Sequence, residues 1–259
     1  MTTQSLRGTN ARWFRRFGPA DGSGMLRLFC FHYAGGSAAS FRDWQLRLPP
    51  YVEVVAVQLP GRENRFTEKP FREMPALAEA VADAMAGELD LPYACFGFSM
   101  GARVALAVTH VLRDRGLRQP SHLFAASSCA PSLGLPVRGW DEPDEGLITY
   151  LRELGGTAAA IFDNDEQLDV FLPIVRADLT VIGTCPARSG PPLAVPLRTF
   201  AGAEDTQAPP ESMRDWRRET SAAFSLTVVS GGHFFDPAGV TTMIDQITAE
   251  LEPAARGHR

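Results

Sequence analysis

Gly97-Phe98-Ser99-Met100-Gly101 lies between two segments of different periodicity. Residues 93–98 are apolar with the length of a buried strand, and from 102 to 112 apolar residues recur at helical spacing. Strand, sharp turn with a central serine, then helix is the context in which G-x-S-x-G acts as a nucleophile elbow. The turn forces the serine into a strained backbone conformation. A Cβ on either flanking glycine would collide with the neighbouring strand or helix.

Outward from this turn, strand-like and helix-like runs alternate. Strands are expected at 26–32, 52–58, 93–98, 122–127, 195–201 and 225–229, with a further edge strand at 13–17. Most are apolar almost without interruption, as strands covered on both faces are. Between the second and third of the six, Met74, Leu77, Val81 and Met85 fall on one helical face. The final helix is expected over 237–251, with Pro237 near its first turn and 252–259 as a frayed tail. From about 140 to 183 the alternation stops, and two or three helical segments follow one another. Leu147, Tyr150, Leu151 and Leu154 form one apolar stripe, and Phe171, Leu172, Val175 and Leu179 form another. Helices inserted there would sit above the carboxyl ends of the strands, where open α/β sheets bind ligands, so the segment is expected to be a lid. The expectation is one α/β domain over 1–259: a mainly parallel central sheet, helices on both faces and this helical insertion.

A serine hydroxyl needs a base. Of the five histidines, His258 is in the tail, His110 is on the helix after the elbow and His122 begins a strand. His32 ends the first long strand and precedes the serine, so it fits the oxyanion-loop region rather than the position of the base. His233 remains, in the Gly231-Gly232-His233-Phe234-Phe235 loop after the last strand. Asp205 directly follows the strand at 195–201 and is expected to orient that histidine, with Glu204 and Asp236 as competitors. The order Ser99, Asp205, His233 is that of an α/β-hydrolase. The oxyanion of an acyl-transfer intermediate needs two donors. Met100 N–H, at the start of the helix after the serine, is one. The second is expected from His32-Tyr33-Ala34-Gly35-Gly36-Ser37, at Ala34 with Tyr33 as the alternative.

The formal charge of −5 gives no sign of nucleic-acid or anionic-membrane binding, and no apolar stretch is long enough to span a bilayer. The polar first twelve residues lack a signal peptide's apolar core, and the four cysteines form no C-x-x-C pair. A cytoplasmic location with free thiols is therefore expected. No cluster has metal-ligand spacing and no phosphate-cradling loop precedes a helix, so no metal or other cofactor is expected. Arg62 and Arg65 read as solvated turn arginines, and Phe234-Phe235 as packing residues.

Four segments resemble the type II thioesterases of polyketide and nonribosomal peptide assembly lines, whose animal relative is the medium-chain thioesterase acting on fatty acid synthase. They are Phe31-His32-Tyr33-Ala34-Gly35-Gly36-Ser37, Val57-Gln58-Leu59-Pro60-Gly61-Arg62, the elbow itself, and Gly231-Gly232-His233-Phe234-Phe235. Leu172-Pro173-Ile174-Val175-Arg176-Ala177-Asp178 adds to the likeness. The resemblance implies a free-standing hydrolase that clears unproductive acyl groups from the phosphopantetheine arm of acyl or peptidyl carrier proteins. It implies nucleophile, acid and base roles for Ser99, Asp205 and His233. Phe98 stands where the family commonly has histidine, which implies an altered pocket wall; Asp236 replaces a usually apolar residue. The rival activities are an oxygen-ester hydrolase or lipase with the same three residues, and a scaffold that only binds carrier proteins. Carrier proteins are typically acidic, so docking to a net-negative chain would need a local basic patch. Arg12, Arg15, Arg16, Arg62 and Arg65 are the candidates for it.

Overall fold

The computed structural model describes residues 12–18, 24–134, 137–156, 159–185 and 190–256. Seven strands form one sheet: β1 (Phe14–Arg16), β2 (Leu26–Phe31), β3 (Val52–Val57), β4 (Tyr93–Phe98), β5 (Leu123–Ala126), β6 (Leu197–Gly202) and β7 (Phe224–Val229). Their order is β1-β3-β2-β4-β5-β6-β7. Only β1 runs antiparallel, at the edge against β3; every other pair is parallel. Parallel neighbours need crossover connections. The helices α1 (Met74–Ala86) and α2 (Met100–Asp114) supply those leading into and out of β4.

Alternate residues of each strand enter cores on opposite faces of the sheet. Phe29, Phe31, Val55 and Val57 pack with α1 and α2 on one side. Leu26, Leu28, Cys30, Val52 and Val54 pack on the other, against a 3-10 segment (Ala38–Leu46) and α7 (Pro237–Arg256). Both faces are covered, which is why these strands read as largely apolar runs rather than as alternation. On the second face, Phe41, Trp44 and Phe96 form an edge-packed aromatic group.

The chain leaves β2 to one side, forming β3, and returns on the other side as β4, so β2 and β4 are parallel neighbours whose onward connections run to opposite sides. The loops leaving their carboxyl ends face one crevice, the position where doubly wound sheets place ligands. Ser99 and the His32–Ser37 loop are those two loops.

Between β5 and β6 the chain forms three helices, α3 (Asp144–Leu154), α4 (Ala159–Phe162) and α5 (Asp165–Gly183). The stripe on α3 is buried at Leu147, Tyr150 and Leu151, and that on α5 at Leu172, Val175 and Leu179. The Arg176 guanidinium on α5 donates to the carbonyls of Gly139, Trp140 and Glu142 and pairs with Asp144, fixing the entry into α3. A short α6 (Pro210–Arg214) follows β6.

Most strand ends differ from expectation by a single residue, and two boundaries differ by more. β6 begins at Leu197 rather than Val195, because Pro196 has no N–H to give a ladder. Its carbonyl instead accepts from Leu123. The final helix runs on to Arg256, through Pro253, where a frayed tail was expected from residue 252. Leu251 and Ala255 are buried there, and this packing outweighs the local cost of the proline. Residues 257–259, with His258, lie outside the described residues, as does most of the polar N-terminal segment.

Candidate active site

Ser99 sits at φ 53°, ψ −117°, between the last residue of β4 and the first of α2. The strained turn is packed tightly against its surroundings, and the two flanking glycines make room for that. A Cβ on Gly97 would lie 2.3 Å from the Gly101 carbonyl oxygen, and one on Gly101 would lie 2.1 Å from that of Phe31. The serine N–H is held by the Ala126 carbonyl at the end of β5 (2.8 Å).

The three expected residues come together in one line. Ser99 Oγ and His233 Nε2 are 3.1 Å apart, and His233 Nδ1 is 3.0 Å from Asp205 Oδ2. With Asp205 ionised, Nδ1 carries the proton and donates it, leaving the Nε2 lone pair facing the hydroxyl. Asp205 is buried, and burial alone would raise its pKa. Hydrogen bonds from His233 and from the N–H groups of Ala208 and Gln207 outweigh burial and hold the carboxyl below its ordinary value. Glu204 is exposed. Asp236 accepts from Ser230 Oγ and Gly239 N–H, capping the start of α7. Neither competitor meets His233 in any described contact. Ser127, just past β5, donates its hydroxyl to the His233 carbonyl (2.8 Å) and steadies the histidine loop. Nothing in the sequence marks that serine, since its role depends on strand register.

Met100 opens α2, so its N–H has no partner within the helix. In the facing loop, Gly35 N–H is committed to Asp178 Oδ2 (2.8 Å) and Gly36 N–H to the Tyr33 carbonyl (3.0 Å). The Tyr33 and Ala34 N–H groups make no hydrogen bond among the described residues, so the two candidates for the second donor both remain open.

Above these groups is a cavity of about 180 Å³. Ser99, His233, Ala34 and Phe234 form its floor, and Tyr150, Leu154, Ile161, Phe171, Leu179 and Ile182 of the inserted helices form its walls. Phe234, expected only to pack, both lines this cavity and packs against Tyr33 and Phe98. Phe98 stacks on Phe234 (centroids 5.5 Å, 19°) and lines a separate apolar cleft beside the cavity, with Phe41, Trp44 and Met243.

Arg62 and Arg65 overturn the expectation of solvated side chains: they are 6% and 3% exposed. Arg65 donates to the Gln58 carbonyl, pairs with Glu68 and lies 4.0 Å over the Trp13 ring. Arg62 forms a two-pronged pair with Asp178. Glu63 and Asn64 of their turn are exposed, but both arginine side chains turn inward, where an unpaired cation would be too costly, and each meets an acid. Neither is available as part of a docking patch. Among the described residues, no group of three or more acidic, histidine or cysteine side chains could hold a metal, and no helix is long and apolar enough to cross a membrane.

A serine elbow on a mostly parallel seven-stranded sheet, with an acid after β6 and a histidine after β7, defines an α/β-hydrolase. Residues 26–251 match the Thioesterase domain model, and the chain belongs to that family, hydrolases acting on thioesters. It is 34% identical over 241 residues to the gramicidin S biosynthesis protein GrsT of Aneurinibacillus migulanus, covering 93% of this chain and 94% of that one. Among solved structures, the RedJ thioesterase of the prodiginine pathway in Streptomyces coelicolor superposes with a TM-score of 0.84 at 39% identity, over 90% of this chain and 93% of RedJ. The type II thioesterase BorB of the borrelidin cluster gives 0.84 at 31% identity, over 93% of this chain and 98% of BorB. The likeness to type II thioesterases of peptide and polyketide pathways, read from four short segments, thus extends over nearly the whole chain.

Proposed function

We propose that this thioesterase removes aberrant or stalled acyl groups from the phosphopantetheine arm of carrier proteins in nonribosomal peptide or polyketide biosynthesis, through an acyl-enzyme formed on Ser99. The observation that carries this reading is the relay Ser99–His233–Asp205, with both contacts near 3 Å, beneath an apolar cavity. His233 Nε2 takes the hydroxyl proton as Ser99 Oγ attacks the thioester carbonyl carbon. The oxyanion lies between the N–H groups of Met100 and, in this reading, Ala34. On collapse the carbon–sulfur bond breaks, and the imidazolium returns its proton to the pantetheine thiolate. Water then enters, gives a proton to His233 and attacks the acyl-enzyme, releasing the free acid and restoring Ser99. Asp205 remains ionised throughout and steadies the imidazolium. The inserted helices act as a lid that supplies the acyl pocket and keeps bulk water from it.

The apolar cavity and the pathway names of GrsT and RedJ support a carrier-linked acyl substrate. The test is hydrolysis of an acyl group loaded on a carrier protein, with the matched oxygen ester for comparison and with Ser99→Ala as control. Release of the acid by the wild type, preference for the thioester, and loss of labelling by a fluorophosphonate in Ser99→Ala are expected. Near-wild-type turnover by Ser99→Ala would end the proposal.

A further inference from the structure

The Pro-Gly-Arg and Arg-Ala-Asp segments have no part in the reaction steps above, yet the fold joins them beneath the active-site loop. Asp178 lies on α5, one of the inserted helices, and is 3% exposed. Its Oδ2 accepts from Arg62 Nη1 (2.7 Å) and from Gly35 N–H (2.8 Å), and its Oδ1 accepts from Arg62 Nη2 (2.8 Å). Arg62 Nη1 also donates to the Gly36 carbonyl (3.1 Å), and its Nε to that of Pro60 (3.2 Å). One buried ion pair therefore grips two successive residues of the loop, one by its N–H and one by its C=O.

The next peptide inward is held as well. The Tyr33 carbonyl accepts from Gly36 N–H (3.0 Å) and from His32 Nδ1–H (2.8 Å). A trans peptide is planar, so fixing the Tyr33 carbonyl in one direction aims the Ala34 N–H in the opposite one. Gly35, at φ +76°, allows the turn between these anchors. It lies so close beneath α5 that a Cβ there would be 2.6 Å from Val175 Cγ2. The absence of a side chain at Gly35 lets α5 seat directly on the loop.

We propose that Asp178 and Arg62 are positioning residues: through Gly35 and Gly36 they hold the Ala34 N–H in place as an oxyanion donor, so that this donor is set only while the lid helix α5 is docked. The inference rests on the serine mechanism proposed above. It makes lid position and transition-state stabilisation one coupled variable. A lid displaced by a bulky or poorly fitting acyl group would loosen the donor as well as the pocket.

A buried ion pair can often be replaced by apolar residues without loss of stability, whereas removing one partner strands the other. The test therefore uses the double variant Arg62→Met/Asp178→Ala, with Ser99→Ala in parallel. Its readouts are kcat, KM and the affinity of a trifluoromethyl ketone analogue of the acyl-pantetheine, whose hemiketal oxygen reads the oxyanion site. Displacing one donor should lower kcat by about tenfold to a hundredfold, with KM changed less than about threefold. Affinity for the analogue should fall by the same factor as kcat/KM. A folded double variant with kcat within about threefold of wild type would overturn the inference, and so would a fall in kcat with unchanged analogue affinity. Hydrogen exchange of the wild-type Gly35 amide decides the matter if the variant does not fold. Protection like that of a helix interior is expected, and exchange as fast as in an open loop would overturn the inference. Activity surviving in Ser99→Ala would instead remove the serine mechanism, a separate failure.

Discussion

Asp205 and His32 differ in what they do with their buried positions. Asp205 takes three hydrogen bonds and stays charged, so Asp205→Asn should leave the fold intact but remove the acceptor that fixes the His233 tautomer. Turnover of an acyl thioester should fall by about 10³- to 10⁴-fold, with melting temperature little changed. A larger loss in Glu204→Gln or Asp236→Asn at equal stability would reassign the acid. His32 is held neutral: burial, helped by the nearby Arg62 charge and opposed by Asp178, brings its pKa down from 6.5 to about 4. The unfolded chain therefore binds a proton at this histidine below about pH 6.5, while the folded protein does not until about pH 4. Stability from this site is intact above pH 6.5 and declines as pH falls through that window, by about 3 kcal/mol in all. Denaturant unfolding at several pH values should show this slope, and His32→Gln should flatten it. An unchanged slope would mean that His32 is not the group responsible.

At the level of elements, β4, α2 and the inserted helices were legible in sequence for different reasons. β4 was readable to the residue, because a strand ending on a Gly-x-Ser-x-Gly turn has no freedom of register. α2 follows from the same turn, and its apolar spacing is that of an ordinary amphipathic helix. The stripes on α3 and α5 were visible, but not which helix would meet the serine loop, since that depends on crossing geometry rather than on spacing. Asp178 has a sequence signal of its own: it is an acid embedded between Val175, Ala177 and Leu179 on a buried stripe. Arg62 could not have been placed from a local reading, because its partner is 116 residues away. The cavity wall offers a test of the lid. Leu154, at the end of α3, is partly buried and faces the cavity, so Leu154→Trp should shorten it with little strain. The specificity constant for a medium-length acyl group should fall about tenfold more than that for an acetyl or propionyl group. Equal losses for short and long chains would mean that the inserted helices do not form the acyl pocket.

Across the whole molecule, the winding of the sheet puts the serine turn after β4 beside the loop after β2, and the inserted helices close the crevice between them. On the function proposed above, a carrier protein would deliver its arm into that crevice from outside. The charge distribution limits how it can dock. The net charge is −5, and of the five arginines considered for a basic patch, Arg62 and Arg65 are buried. Arg12 faces Glu68, and Arg16 pairs with Glu53 and Glu88. Arg15 alone among the five is without a carboxylate partner among the described residues. Of these five, Arg15 alone is left as a free exposed guanidinium, which cannot offset repulsion between two acidic proteins. Docking through this group should therefore depend on shape and apolar contact rather than on long-range attraction. The expected outcome is a higher kcat/KM for an acyl group on a carrier protein than for the same group on a short pantetheine mimic. The preference should persist on going from low salt to about 0.15 M, where the Debye length is about 8 Å, with less than about a threefold fall in the carrier value. A fall of tenfold or more would reveal an attractive basic surface that these five arginines do not provide. Equal constants for carrier and mimic would remove docking from the reading and leave the hydrolysis itself untouched.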